Sequence, residues 1–330
     1  MTKYRFSIHQ TWIRTVALAM ICLLLLPMLA ACSSSPTVLT VGDEKVSYDL
    51  LRYFVMNYRN ESGHTSEEFA KDEGLQKELI EFVESRLKEI MAYKALAAEY
   101  DIDLTKEEQQ ELEASIETMK AEYESEEAYA KALADAYLTE DVYMELQRLQ
   151  ILAEHLYNYL THEKNGIIAC DEQTVRKDVE AGNFYAAEYL YIYFSQKDKD
   201  EKLKFADGLR QRLLNGETME ALDTEYSATY GLSMEYVVLP VFTQTQQEAD
   251  FEKAVLNIAI GEYTEPVVRG DGVFIARRNA VDSAYVDANI ASVIECYKER
   301  EFTRMVEKKA NSMEITYKDK YSSLKLWEME

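Results

Sequence analysis

The residues with the clearest chemistry in this sequence are Leu29, Ala30, Ala31 and Cys32, where a long apolar run ends. The two alanines carry small side chains, so a peptidase can reach the backbone between Ala31 and Cys32. The Cys32 thiol is the one side chain of this motif that can carry a thioether lipid. The four residues therefore combine an accessible backbone with a side chain that can be lipidated.

The segment before this motif has the layout of an export signal. Lys3, Arg5 and Arg14 carry positive charge with no acidic residue nearby, and residues 16–29 are almost wholly apolar. That run is too short for a comfortable membrane span, which needs about 20 apolar residues. An ordinary cleaved signal with a coincidental cysteine and an uncleaved anchor helix remain alternatives.

Taken together, the motif and its signal resemble the lipobox of bacterial lipoproteins. This resemblance implies a signal peptide over 1–31, an acylated Cys32 as the first mature residue and a short tether over 32–37. The rest of the chain is then expected on the extracytoplasmic face of a bacterial cell membrane, held there by lipid, because several acyl chains bind a bilayer firmly.

Charge limits the partners of the mature chain. The 330 residues carry a net charge of −24, and loss of the three basic residues of the signal takes it to −27. Nucleic-acid binding needs basic patches, so no nucleic-acid partner is expected. The same charge cannot attract an anionic bilayer, which leaves the lipid as the membrane contact.

The cysteines and histidines of the mature chain predict no metal site. Cys170 and Cys296 lack CxxC spacing and nearby histidines, so we expect them to be free or structural, and their pairing stays open. His64, His155 and His162 have no partner at metal-ligand spacing. Phosphate-loop and dinucleotide motifs are also missing from the sequence, so no nucleotide or other cofactor is expected.

The first half of the mature chain predicts a hairpin followed by helices. Residues 38–47 alternate apolar and polar side chains around a Gly42-Asp43 turn, and Ser47 is placed to cap the next helix. Residues 66–163 are predicted as nearly continuous helix, with a capping box opened by Thr105 and a further helix opened by Thr139.

The second half changes character after a short helix predicted over 171–182. Strands are predicted at 185–194, 236–239 and 273–276, and helices at 201–215, 217–226 and 251–260, a β-α-α-β-α-β order typical of a compact α/β module. One helix over 286–313 and a strand at Ile315 and Tyr317 follow. We expect this last part to return to the first helices, which makes the helical lobe discontinuous and the module an insertion.

Short motifs in this order resemble the extracytoplasmic foldases related to the lipoprotein PrsA and the periplasmic chaperone SurA. Residues 38–47 are similar to the family's V-x-x-V-N-G-x-x-I-T hairpin. Residues 215–222, 251–255 and 261–267 are similar to the parvulin isomerase motifs G-x-x-F-x-x-L-A, F-E-x-A-x and G-E-x-S-x-P-V. The resemblance implies an α+β fold: a mainly α-helical chaperone lobe over 38–170, a linker helix over 171–184, a parvulin-like module over 185–280 and a helix returning to the lobe over 281–330.

The sequence departs from parvulins where their chemistry lies. Tyr189 and Phe274 stand at the positions of the two family histidines, and 231–235 replace the glycine-rich loop. A pocket lined by Tyr189, Met234 and Phe274 can hold apolar side chains but offers little to a twisting amide, whose barrier is about 20 kcal/mol. We therefore expect no catalytic residue here and interpret the module as a degenerate parvulin.

The function implied is that of a membrane-anchored chaperone that binds unfolded or newly exported polypeptides without nucleotide. The 24 tyrosines and 12 methionines fit an adaptable binding surface, although each tyrosine taken singly is better explained as a half-buried helix residue. Two alternatives stay open: an active, if weak, peptidyl-prolyl isomerase, and a non-catalytic scaffold lipoprotein of the envelope.

Overall fold

The computed structural model describes residues 35–164, 166–195, 197–230 and 234–329, without the side chains of 227–230 and 322. The predicted signal peptide, the cleavage site at Ala31 and Cys32 and most of the loop at 231–235 lie outside these residues. The chain divides into two units, 1–36 and 37–330, and the fold described below is that of the second. It is an α+β fold, as the sequence predicted.

A β-hairpin and six helices form the first part of the structure. The hairpin joins strand β1 to strand β2 antiparallel, with Leu39 opposite Val46 and Gly42 in the turn at φ 57°. Ser47 caps the first helix, since its Oγ accepts a hydrogen bond of 3.2 Å from Leu50 N. The elements are β1 (Thr37–Val41), β2 (Glu44–Ser47), α1 (Tyr48–Ser62), α2 (Ser66–Lys71), α3 (Glu73–Glu99), α4 (Lys106–Ala121), α5 (Glu126–Asp135) and α6 (Glu140–Leu160).

Side-chain caps divide the long helical region where the sequence indicated. Glu108 N donates to Thr105 Oγ1 at 3.2 Å and Thr105 N donates to Glu108 Oε2 at 2.8 Å, so the predicted capping box opens α4. Thr139 Oγ1 likewise accepts from Val142 N at the start of α6. Each cap satisfies amide protons that the first helical turn leaves without partners.

An antiparallel sheet of four strands, in the order β4-β3-β6-β5, organises the second part. Strand β4 is longer than the predicted 236–239 and runs through Pro240. Proline is tolerated because β4 is an edge strand and its register with β3 shifts between Tyr185 and Ala187. The elements are α7 (Glu172–Glu180), β3 (Tyr185–Tyr193), α8 (Lys199–Leu214), α9 (Met219–Tyr230), β4 (Met234–Phe242), α10 (Ala249–Leu256), β5 (Val267–Arg269) and β6 (Gly272–Asn279).

The region predicted as one helix over 286–313 consists of two, α11 (Ser283–Ala288) and α12 (Ile290–Ser312). Asn289 separates them at φ −126° and ψ 28°, and its Nδ2 donates to Tyr285 O at 2.9 Å. The short amide side chain thus bonds to the preceding turn, and the backbone leaves the helical conformation.

The end of the chain returns to its beginning. Strand β7 (Ile315–Tyr317) pairs antiparallel with β1, with Leu39 opposite Tyr317, and completes a sheet of order β2-β1-β7. Helix α12 packs against α3, and Val306 lies in the same core as the apolar residues of α1 and α3. The predicted discontinuous helical lobe with an inserted α/β module is therefore confirmed. Within the described ranges, no helix is both long and apolar enough to cross a membrane.

Candidate functional site

The two faces of the four-stranded sheet carry different side chains. Successive residues of a strand point to opposite faces. Leu190 and Ile192 of β3 point to one face, where they pack with apolar residues of α8 and α9. Tyr189 and Tyr191 point to the other, where they pack with Phe251 of α10. This second side, with its tyrosines and phenylalanines, is called the aromatic face below.

Three rings form the centre of the aromatic face. The rings of Tyr189 and Phe251 meet edge to face with their centroids 5.0 Å apart, and those of Phe251 and Phe274 lie 5.2 Å apart. Tyr189 and Phe274 are 6.4 Å apart. These separations are those of favourable aromatic pairs. Phe251 and Phe274 are fully buried, whereas Tyr189 is half-buried, so Tyr189 is the ring of the three that an approaching ligand can reach.

The structure brings together two of the three residues predicted for the pocket. Tyr189 and Phe274 share the aromatic face, but Met234 is paired with Ile192 and packs among the residues of α8 and α9 on the opposite side. Directly opposed residues of paired strands point to the same face, and this register therefore removes Met234 from the pocket. Phe251, on a helix rather than a strand, stands beside Tyr189 instead.

Charged and polar groups border the aromatic face. Arg269 forms an ion pair with Glu248, and its guanidinium lies 5.8 Å from the centre of the Tyr191 ring. The Tyr191 hydroxyl has two acceptors for its one proton, Arg269 O at 2.7 Å and Asp271 Oδ1 at 3.1 Å. The face thus has an apolar centre and a polar edge, as ligand sites commonly do.

The half-buried phenols of Tyr189 and Tyr191 are neutral near pH 7. Burial raises the pKa of Tyr189 above its ordinary value. Burial, with the hydrogen bond to the Asp271 carboxylate as the second cause, raises the pKa of Tyr191 to about 12. A phenol with a raised pKa can exchange hydrogen bonds with a peptide but cannot act as a general base near neutral pH.

A close contact with a tyrosine ring requires glycine at one position on the edge of this face. A Cβ added to Gly272 would lie 2.3 Å from Cε1 of Tyr191, so the tyrosine ring packs directly on the glycine backbone. The ring is also held by its hydrogen bond to Arg269 O and cannot swing away without breaking that bond. Gly272 therefore positions the Tyr191 ring.

The aromatic face offers mainly apolar contacts. Rotation about a peptide bond has a barrier of about 20 kcal/mol, and preorganised polar groups aimed at the twisted amide can lower it. The aromatic face offers rings, aliphatic side chains and the hydroxyls of Tyr185, Tyr189 and Tyr191, of which the Tyr191 hydroxyl already has acceptors. Its half-buried residues are Tyr185, Tyr189, Tyr191, Leu239, Ala254 and Val267.

Sequence reasoning missed Phe251, Glu248 and Arg269 as parts of this site. Phe251 and Val255 are spaced four residues apart, which places both on one side of α10, and this signal was available. The pairing of Glu248 with Arg269 joins a loop to strand β5 and had no local signal.

Cys170 and Cys296 are free thiols. Cys170 is buried and its Sγ donates to Thr161 O at 3.2 Å, while Cys296 is half-buried. Burial raises the pKa of both thiols. Such thiols are poor nucleophiles. Among the described side chains, no three His, Cys, Asp or Glu residues are grouped so as to hold a metal ion.

Comparison with solved structures finds proteins of the families that the sequence motifs resemble. PrsA from Bacillus anthracis has 16% sequence identity over 69% of this chain and 94% of its own, with a TM-score of 0.30. The foldase PrsA from Streptococcus pneumoniae has 12% identity over 74% of this chain and 86% of its own, with a TM-score of 0.32. A SurA-like chaperone from Campylobacter jejuni has 11% identity over 86% of this chain and 99% of its own, with a TM-score of 0.31. No protein-family model and no curated protein matches the chain by sequence.

Proposed function

We propose that this protein is a membrane-anchored extracytoplasmic chaperone that binds unfolded, newly exported polypeptides, and that its α/β module binds peptide without isomerising it. The aromatic face is the observation that carries this proposal. Where a parvulin would place histidines, Tyr189 offers a half-buried neutral ring and Phe274 a buried one.

The composition of the aromatic face fits an unfolded client. Unfolded chains present apolar side chains in no fixed order, and an aromatic surface with a polar edge accepts many of them by contact. The Arg269 and Glu248 side chains at the edge can meet the peptide groups of the same segment. Release needs no nucleotide, because contacts of this kind are individually weak.

Anchoring through Cys32 supports the same function. Lipid at Cys32 would hold the binding surface beside the membrane from which exported chains emerge, and a tether raises the local concentration of a binding site. Without its signal the chain carries a net charge of −27, which repels an anionic bilayer, so the lipid would provide the contact.

Aggregation of an unfolded client is the first test. The chain starting at Ser33 is mixed with chemically unfolded rhodanese, and light scattering is followed with and without ATP. We expect the protein to suppress aggregation equally with and without ATP. Tyr189→Ser should weaken suppression severalfold, whereas Tyr159→Ser, at a tyrosine 45% exposed on α6, should not. No suppression by the unmodified chain would contradict the chaperone proposal.

Isomerisation is measured separately on the same protein. A proline tetrapeptide with a chromogenic leaving group reports cis/trans exchange, and we expect no acceleration above the uncatalysed rate. Acceleration comparable to that of an intact parvulin would contradict the proposed inactivity and leave the chaperone proposal in place.

Membrane attachment is tested in cells. The unmodified chain should sediment with membranes and carry label from a fatty-acid precursor, and Cys32→Ala should lose both. Full membrane association of the Cys32→Ala protein would contradict the lipid anchor.

A further inference from the structure

The residues after strand β7 pack across helices α1 and α2 of the helical lobe. The apolar surface of α1 and α2 that they cover is called the groove below. Residues 318–329, called here the covering segment, continue from Tyr317 with only two one-turn 3-10 helices, and the second of these contacts α1 and α2. Leu326 and Met329 are 3% and 6% exposed and belong to the same core cluster as Phe54 of α1 and Phe69 of α2.

The covering segment is held by side chains rather than by backbone pairing. Lys318 N donates to Val38 O at 3.0 Å, and beyond that residue the described backbone hydrogen bonds of the segment are local, such as Leu324 N to Tyr321 O. The segment therefore joins neither a sheet nor an α-helix, and its place depends on buried apolar side chains.

A hydrogen bond from Arg59 of α1 links the lobe to the C-terminal end of the covering segment. Its Nη1 donates to Met329 O at 2.5 Å, and its Nη2 bonds to Ser66 at the start of α2. Arg59 Nε is buried without a hydrogen-bond partner among the described residues. A guanidinium that bridges two helices and reaches a carbonyl oxygen can receive any peptide that lies in this groove, because every peptide offers that oxygen.

The segment has the chemistry of a bound peptide. Its apolar side chains are spaced as Leu324-x-Leu326-Trp327-x-Met329. Trp327 and Leu324 are partly buried against the same core as Leu326 and Met329. An apolar stretch of an unfolded chain presents the same groups: large apolar side chains on a backbone with free carbonyl oxygens.

We propose that the groove between α1 and α2 is a binding site for apolar segments of unfolded polypeptide, and that the covering segment occupies it as an intramolecular competitor. This inference rests on the proposed chaperone function and gives it a second site, far along the chain from the aromatic face. A client binds the groove when the segment, still attached through β7, leaves it.

The competition lowers the apparent affinity for a client. When only a fraction of the molecules has the groove open, the apparent dissociation constant rises by the inverse of that fraction. A groove covered in nine molecules of ten therefore binds about tenfold more weakly than an open one.

The test compares closed and released forms of the chain starting at Ser33. The released forms are Leu326→Asp and a chain ending at Lys318, and the matched control is Leu214→Asp, at a leucine 52% exposed on α8. The probe is a fluorescein-labelled peptide with the sequence of 321–329, and its binding is followed by anisotropy. We expect both released forms to bind it at least about tenfold more tightly than the unmodified chain, and the control to bind it unchanged.

Arg59 supplies a second readout. In the chain ending at Lys318, Arg59→Met should weaken peptide binding severalfold, since the carbonyl oxygen loses its donor. Helical circular dichroism is recorded for every variant. Released forms that keep their helical signal but bind no more tightly would overturn the inference, and so would loss of that signal in both, because the segment would then be an integral part of the lobe.

The aggregation assay separates this inference from the function on which it rests. Suppression by the unmodified chain, combined with unchanged peptide binding on release, overturns the competitor and leaves the chaperone. Peptide binding that increases on release, without any suppression by the unmodified or released chains, supports the groove and overturns the chaperone proposal.

Discussion

Arg300 of α12 is a charged side chain whose removal should be costly. It is 1% exposed, and its Nη2 lies 2.7 Å from Asp178 Oδ2 and 2.7 Å from Glu301 Oε1. The two carboxylates reach solvent to 19% and 27%. The guanidinium of Arg300 is therefore almost fully desolvated, whereas the two carboxylates keep part of their contact with water.

The surroundings of Arg300 join separate parts of the fold. Its guanidinium lies 5.6 Å from the ring centre of Phe184 and 4.9 Å from that of Tyr297, and Nη1 donates to Asn183 O at 3.3 Å. Phe184 and Asn183 precede the first strand of the α/β module, whereas Arg300 belongs to the helix that returns to the lobe. The cluster thus fixes the entrance of the module against α12.

Replacing Arg300 with methionine keeps most of the apolar volume and removes the charge. Breaking a buried pair by removing one partner costs about 3–5 kcal/mol, and partial hydration of the carboxylates places this site near the lower end, about 3 kcal/mol. Arg304→Met is the matched control, one helical turn onward and paired to the same Glu301 at 2.9 Å but 43% exposed. Exposed pairs contribute about 0–1 kcal/mol.

Urea denaturation of the chain starting at Ser33, followed by circular dichroism, measures both variants. With a slope near 3 kcal/mol per molar urea, the midpoint should fall by about 1 M for Arg300→Met and by no more than about 0.3 M for Arg304→Met. Adding Asp178→Asn to Arg300→Met should recover part of the loss, because the carboxylate left without its cation becomes a neutral amide. Equal small shifts for the two single variants would refute the argument from burial.

Two further predictions concern a close contact and a cap. Gly272→Ala should destabilise the protein by about 1–3 kcal/mol in the same urea experiment, because the new Cβ overlaps the Tyr191 ring; an unchanged midpoint would show that the ring moves freely. Hydrogen bonds from the backbone and hydroxyl of Thr105 lower the pKa of Glu108, so its stabilising effect is present above the ordinary carboxyl pKa and is lost as the pH falls through the lowered value. Glu108→Gln should therefore be less stable than the unmodified chain at pH 7 and equal to it at pH 2, and a difference that persists in acid would contradict this cause.

Local signals predicted most of the elements correctly. The Thr105 capping box and the Thr139 cap stand at the predicted helix starts, because side-chain caps act over three residues and can be read from the sequence alone. Reasoning from local signals failed at Asn289, where one helix was predicted and two are found. The apolar periodicity continues across it, but its side chain bonds to the previous turn and divides the helix.

Prediction of the candidate site from the sequence failed where it depended on how distant strands pair. Tyr189 and Phe274 could be placed together because motifs located both positions. The position of Met234 could not be predicted, because the face to which it points depends on the residue of β3 that it opposes. A shift of the strand register by one residue would place Met234 on the other face of the sheet. The contact between Arg59 of α1 and Met329 likewise joins residues far apart in the chain and had no signal in the sequence.

The pairing of β1 with β7 has a consequence for folding if the chain is exported as proposed. An exported chain would cross the membrane progressively, and Leu39 could not meet Tyr317 until nearly all of it had emerged. The strands of the α/β module pair over shorter separations than β1 and β7 do and can form earlier, and a folded insertion shortens the loop that the helical lobe must close. We therefore expect the lobe of an exported chain to fold last, with its apolar core exposed until β7 is in place.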